Sequence, residues 1–167
     1  MFSFRLFFLL YNLHSFAVCE SPKLFALRNQ INKQKFVDIW VKRFVNPSKP
    51  SIIISHAFCL SSDVLLNLGQ SLCKQGFDVW LPNMRGHGRA KNKSLLSSYS
   101  KGDYSFDWIV TEDLPFLVDQ VLSITRTEKV IAIGHSVGGM SWEQYLSGVY
   151  KKDNKIPAIV LLLALSC

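Results

Sequence analysis

Three short apolar runs constrain the fold more than any other feature of the chain: Ser51–Ser55 (SIIIS), residues 129–133 (KVIAI) and residues 158–165 (AIVLLLAL). They are rich in β-branched residues and are bounded by turn-forming positions, so they predict strands rather than pieces of helix. None alternates apolar with polar residues. A strand of that kind is buried on both faces, which requires a mostly parallel sheet covered by helices on each side.

The segments between these runs fit that plan. Residues 36–45 (FVDIWVKRFV) alternate in part and predict a strand, followed by a turn over 46–50 (NPSKP). Ser62 or Asp63 is placed to cap a helix whose apolar face is Leu65, Leu68 and Leu72, and Gly76 is placed to end it. Residues 77–81 (FDVWL) predict another strand. A glycine-rich turn over 82–88 leads into a Ser/Lys-rich loop up to Gly102. In 106–124, Leu114, Leu117, Val118, Val121 and Leu122 recur at helical spacing; Pro115 places either a helix start near Thr111 or a kink. Residues 138–150 predict a helix before the last apolar run. No repeat of 20–50 residues is visible by the usual repeat periods. The expectation is an α/β domain, with strands and helices joined by right-handed crossovers.

Composition narrows the function classes. With 49% hydrophobic and 19% charged residues, the chain can bury a core and does not read as disordered. The net charge of +7 favours contact with anionic surfaces such as lipid headgroups. The basic residues are scattered, with small clusters at Lys42 and Arg43, at Lys91 and Lys93, and at Lys151 and Lys152. No basic run is interleaved with aromatic residues, which argues against a nucleic-acid partner. Cys19, Cys59, Cys73 and Cys167 form no C-x-x-C pair, and no histidine stands at metal-ligand spacing. No metal site and no cofactor are expected. The cysteine spacings do not resemble a disulfide framework, so small, partly buried thiols are expected.

The first nineteen residues stand apart as a segment of their own, before a domain over 20–167. Arg5 precedes the apolar stretch Leu6-Phe7-Phe8-Leu9-Leu10, and small residues occur between Ser15 and Cys19. Ala17-Val18-Cys19 fits a small-x-small cleavage site, while Asn12 and His14 interrupt the apolar run. A secretory leader, a lipoprotein-type Cys19 and an ordinary segment packed on the domain all stand open. Localisation follows whichever holds: secretion or membrane association with a leader, the cytoplasm without one. The run is too short and interrupted for a membrane span.

Gly134-His135-Ser136-Val137-Gly138-Gly139 contains G-x-S-x-G directly after the 129–133 strand and before a helical segment. That context is what a nucleophile elbow needs. A serine on so tight a turn takes a strained backbone conformation, and side chains two residues either side would collide across it, so Gly134 and Gly138 relieve the crowding. The following helix aims its first amides at a site where negative charge develops during acyl transfer.

With Ser55-His56-Ala57-Phe58 at the end of SIIIS, the sequence resembles the α/β-hydrolase family. That family usually carries His-Gly-x at this strand end. The resemblance implies that the backbone amides of Phe58 and Val137 form the oxyanion hole, that Ser136 is the nucleophile, and that Gly134, His135, Gly138 and Gly139 build the elbow. Ala57 departs from the usual glycine. His56 is implied to hold the loop rather than transfer a proton. Asp78-Val79-Trp80-Leu81-Pro82-Asn83-Met84-Arg85-Gly86-His87-Gly88 and Glu112-Asp113-Leu114-Pro115 resemble the acid-lipase and monoacylglycerol-lipase-like branches. Arg85 and His87 are implied to fix the turn. A small-molecule or lipid ester is the implied substrate.

The resemblance is incomplete. The family places its acid and then its histidine after the serine. Here His14, His56, His87 and His135 all precede Ser136, and the only later acids are Glu143 and Asp153. A serine without a base is a poor nucleophile. The 158–165 strand resembles one that lies inside the family's sheet, so the expectation is the N-terminal part of an α/β-hydrolase fold, inactive alone and completed by a C-terminal chain. A non-catalytic binding or scaffold protein on the same fold is the alternative, and a peptidase, thioesterase or acyltransferase stays open.

Overall fold

The computed structural model describes residues 19–31, 33, 36–87 and 105–148, and the backbone of 158–162. Its strands are β1 (Lys23–Gln30), β2 (Phe36–Phe44), β3 (Ser51–Ser55), β4 (Asp78–Pro82), β5 (Val130–His135) and β6 (Ala158–Leu162). The helices are α1 (Leu66–Lys74), a single turn α2 (Phe106–Trp108), α3 (Leu114–Thr125) and α4 (Val137–Leu146). The strands form one sheet in the order β1-β2-β4-β3-β5-β6. Pairings β4–β3, β3–β5 and β5–β6 are parallel, and β1–β2 and β2–β4 are antiparallel.

Burial explains why the central strands lack alternation. In β3 and β4, Ile52, Ile54, Val79 and Leu81 face one side, against Cys73 of α1 and Leu65 of the turn before it. Ile53 and Trp80 face the other, against Leu117, Val118 and Val121 of α3 and Trp142 of α4. Both faces are therefore apolar and both are covered, as expected of parallel strands. Each fully buried side chain of this size contributes roughly 1.5–3 kcal/mol relative to exposure.

β1 is not among the strands expected from the sequence. It pairs along its whole length with β2, from Lys23↔Arg43 to Gln30↔Phe36. As an edge strand it keeps polar residues, and Arg28 lies opposite Asp38 with Nε 2.8 Å from Oδ1. The apolar-run signal that reveals the inner strands is absent there.

Three further expectations are corrected. The cap before α1 is Ser61, whose Oγ accepts from the Asp63 amide, and a 3-10 turn over Ser62–Leu65 precedes the helix. Near Pro115 neither alternative holds alone: a π-helical turn, Ile109–Asp113, joins α2 to α3, and Pro115 follows it as the second residue of α3. Cys19 and Cys73 are not free thiols but form a disulfide, with Cα atoms 5.9 Å apart. Their 54-residue separation gives no local cue to the pairing. Cys59 is a free cysteine, as expected, but exposed rather than partly buried, and Cys167 lies outside the described residues. So do residues 1–18, residues 88–104, where a loop is expected, and the last residues of the 158–165 run. Among the described residues no helix is long and apolar enough to cross a membrane.

Candidate active site

β5 ends at His135 and α4 begins at Val137, so Ser136 alone makes the bend. Its φ of 51° and ψ of −119° lie in a region that residues other than glycine rarely adopt. The crowding expected around it is present. A Cβ on Gly134 would overlap the Cα and N of Gly139, and one on Gly138 would lie 2.6 Å from the Ser55 carbonyl oxygen and 2.7 Å from that of His56. The elbow and the end of β3 thus touch backbone to backbone. The register says the same, since Ser55 pairs with Gly134.

Behind this contact, Trp142 of α4 donates its indole N–H to Ser55 Oγ at 3.0 Å, with both residues buried. Neither residue carries a sequence signal for that bond. The α4 amides begin at the bend, where the positive end of the helix dipole lies.

The loop after β3 is held by histidine. His56 is fully buried. Its Nδ1 lies 2.8 Å from the Ala57 carbonyl oxygen, and its Nε2 accepts the Met84 amide at 3.0 Å. A ring nitrogen facing a carbonyl must donate and one facing an N–H must accept, so the ring is the neutral Nδ1–H tautomer. Burial pushes its pKa down from 6.5 to about 4; the bond to Ala57 opposes this, and the neighbouring His87 and Lys42 reinforce it. Both nitrogens are committed to backbone, leaving none for proton transfer.

The left-handed residue of this loop is Cys59, at φ 62°, rather than Ala57, so alanine in place of the usual glycine meets no backbone penalty. The Leu60 amide closes the turn onto the Ala57 carbonyl at 3.2 Å. Phe58 is 57% exposed and sets its ring edge-on to His87, centroids 5.6 Å apart. His87 in turn lies 5.3 Å from His56 and places Nδ1 3.0 Å from the Arg85 carbonyl oxygen. Asn83 accepts the Ser62 amide on its side-chain oxygen at 2.7 Å, tying the start of α1 to the end of β4.

Arg85 is held by acids of the segment before α3. Its Nε donates to Asp113 at 3.0 Å and its Nη2 to Glu112 at 2.7 Å, with the Trp108 ring 5.5 Å from the guanidinium carbon. Burial opposes its charge, but Asp113 and Glu112 outweigh that and hold its pKa above the ordinary arginine value. Burial raises the Asp113 carboxyl against the pull of Arg85. The two motifs noted separately in the sequence therefore meet as one buried ion cluster that fixes the turn after β4.

The structure thus brings Gly134 and Gly138 of the Ser136 bend against the backbone of Ser55 and His56, and sets Phe58 against His87. Glu143 is exposed on α4, and Asp153 lies outside the described residues.

Residues 50–166 match the family model of the alpha/beta hydrolase fold, and the chain belongs to that family. Among curated proteins it is 36% identical over 121 residues to Lipase lipl-3 of Caenorhabditis elegans, covering 66% of this chain and 30% of that one. It is 32% identical over 90 residues to human Lipase member N, covering 53% of this chain and 23% of that one. The chain thus spans about a third or less of these relatives' length. Among solved structures, the thioesterase domain from the curacin biosynthetic pathway superposes with a TM-score of 0.62 at 21% identity, covering 89% of this chain and 48% of that one. A Vigna radiata epoxide hydrolase mutant superposes with a TM-score of 0.61 at 14% identity, covering 84% and 38%. At those identities the structural likeness speaks for the fold alone.

Proposed function

We propose that this chain carries the nucleophile half of a carboxylic-ester or lipid-ester hydrolase, with Ser136 as the acyl-accepting residue. The observation that supports this most is the backbone of Ser136: a non-glycine residue held at positive φ between a parallel strand and a helix, on a bend that only glycine neighbours permit. In this reading the Ser136 oxygen attacks the ester carbonyl and the alcohol leaves, giving an acyl-serine that water hydrolyses. The amides of Phe58 and Val137 donate to the carbonyl oxygen as it gains charge. The similarity to lipases supports an ester of a fatty acid as substrate.

The general base is not His56, whose two nitrogens both bond to backbone. No histidine follows Ser136 in these 167 residues. The proposal therefore includes low activity for the chain by itself, several powers of ten below an intact triad. A second reading is a binding protein that keeps this fold and takes acyl chains without turnover.

A reactive fluorophosphonate followed by peptide mapping tests the assignment. The expected adduct falls on Ser136 in preference to other serines and is lost in Ser136→Ala, while p-nitrophenyl butyrate is hydrolysed barely above background. Brisk ester turnover that survives Ser136→Ala overturns the proposal. Acyl-chain binding with no adduct at any probe concentration establishes the binding reading instead.

A further inference from the structure

The Cys19–Cys73 disulfide joins the first described residue of the chain to the second layer of the fold. Cys73 is 1% exposed and belongs to the buried cluster beneath α1, and Cys19 packs against the same cluster. A disulfide in such a place forms and persists in oxidising compartments and is rare in the cytosol. That bears directly on the three readings of residues 1–19.

If the segment is a leader cut after Ala17-Val18-Cys19, the half-cystine is discarded with it. If Cys19 is a lipoprotein-type cysteine, its sulfur is in a thioether and cannot pair with Cys73. A cut two residues earlier satisfies both the pattern and the bond. Ser15-Phe16-Ala17 places small residues at the third and first positions before the cut, after Arg5 and the Leu6-Phe7-Phe8-Leu9-Leu10 stretch. We propose that the chain enters an oxidising secretory compartment, that its leader is removed between Ala17 and Val18, and that Cys19 then locks the trimmed start onto α1 through Cys73.

The chemistry is two ordinary steps. Water adds across the Ala17–Val18 peptide bond, leaving a carboxylate on Ala17 and an ammonium on Val18. Thiol–disulfide exchange with a protein disulfide then oxidises Cys19 and Cys73 by two electrons, and the donor disulfide leaves as two thiols. Exposed Cys59 stays reduced and serves as an internal control.

The test is translation of the full 167-residue chain with endoplasmic-reticulum microsomes, with the product probed by protease protection, N-terminal sequencing and non-reducing electrophoresis. The expected product is protected, begins at Val18, and migrates faster before reduction than after. Cys19→Ser keeps the cut and abolishes the mobility shift; Ala17→Arg abolishes the cut at that bond. A chain that remains accessible to protease with Met1 intact overturns the proposal. So does a cut after Cys19, or a trimmed product in which Cys19 and Cys73 alkylate as readily as Cys59.

Discussion

The indole N–H of Trp142 donates to Ser55 Oγ at 3.0 Å, a bond that fastens the helix after the Ser136 bend to the strand before the His56–Phe58 loop. Ser55 is also the residue whose backbone Gly138 meets, so the bond and the close approach join the same two elements. Ser55→Ala leaves a buried indole donor with no acceptor, at a cost of about 1–3 kcal/mol. Trp142→Phe removes that donor but also opens space. The expected double-mutant cycle in urea shows a coupling of about 0.5–3 kcal/mol between the two sites. Additive effects refute a direct tie.

Gly138 and Gly134 are expected to be the least replaceable glycines among those described. Alanine at either meets backbone rather than a movable side chain, so the elbow must shift. The expected loss is on the order of 1–3 kcal/mol or more for each. Gly76 provides the contrast: nothing lies within 4 Å of its added Cβ, but its φ is 95°. Gly76→Ala is expected to cost about 1 kcal/mol through backbone strain alone. Thermal unfolding of the three variants distinguishes the two mechanisms, and in the intact site Ser136 labelling is expected to fall for the elbow variants only.

What the sequence made legible follows from how local each signal is. SIIIS and KVIAI announce themselves because both faces of those strands are covered, and the elbow because its glycines and serine are adjacent. β1 stays hidden because an edge strand tolerates polar residues and is fixed by pairing with β2 rather than by its own composition. The Cys19–Cys73 bond, the Ser55–Trp142 bond and the Arg85–Asp113 pair each join residues far apart in the chain, so only the folded topology creates them. Ala57 shows the opposite limit: the family's usual glycine suggested a positive φ there, and the loop shifts that role to Cys59.

The ion cluster around Arg85 makes a graded prediction. Asp113 meets the guanidinium with both carboxylate oxygens, and both partners are nearly buried, whereas the Glu112 side chain is 25% exposed. Asp113→Ala leaves a buried cation held from one side and is expected to cost about 3–5 kcal/mol. Glu112→Ala, partly compensated by water, is expected to cost about 1 kcal/mol or less. Chemical denaturation of the two variants measures the difference. Equal losses indicate that the two carboxylates share the arginine evenly, contrary to their burial.

The pH dependence of stability reports on His56. Its folded pKa is about 4 against an ordinary 6.5, because burial favours the neutral ring and His87 and Lys42 reinforce this, against the opposing bond to Ala57. Above pH 6.5 the ring is neutral folded or unfolded, and the stability that depends on neutrality is complete. As pH falls from 6.5 towards 4, the unfolded chain takes up a proton that the folded chain refuses, and stability declines; below about 4 both forms are protonated and this contribution is gone. The span corresponds to about 3 kcal/mol. Protonation also removes the acceptor for the Met84 amide, so the loop bearing Phe58 loosens with it. Urea midpoints across this range, for the native chain minus His56→Asn, are expected to trace that decline. A difference curve that is flat between pH 4 and 6.5 shows that the ring is not held neutral, and removes the physical ground for placing the Phe58 amide through His56.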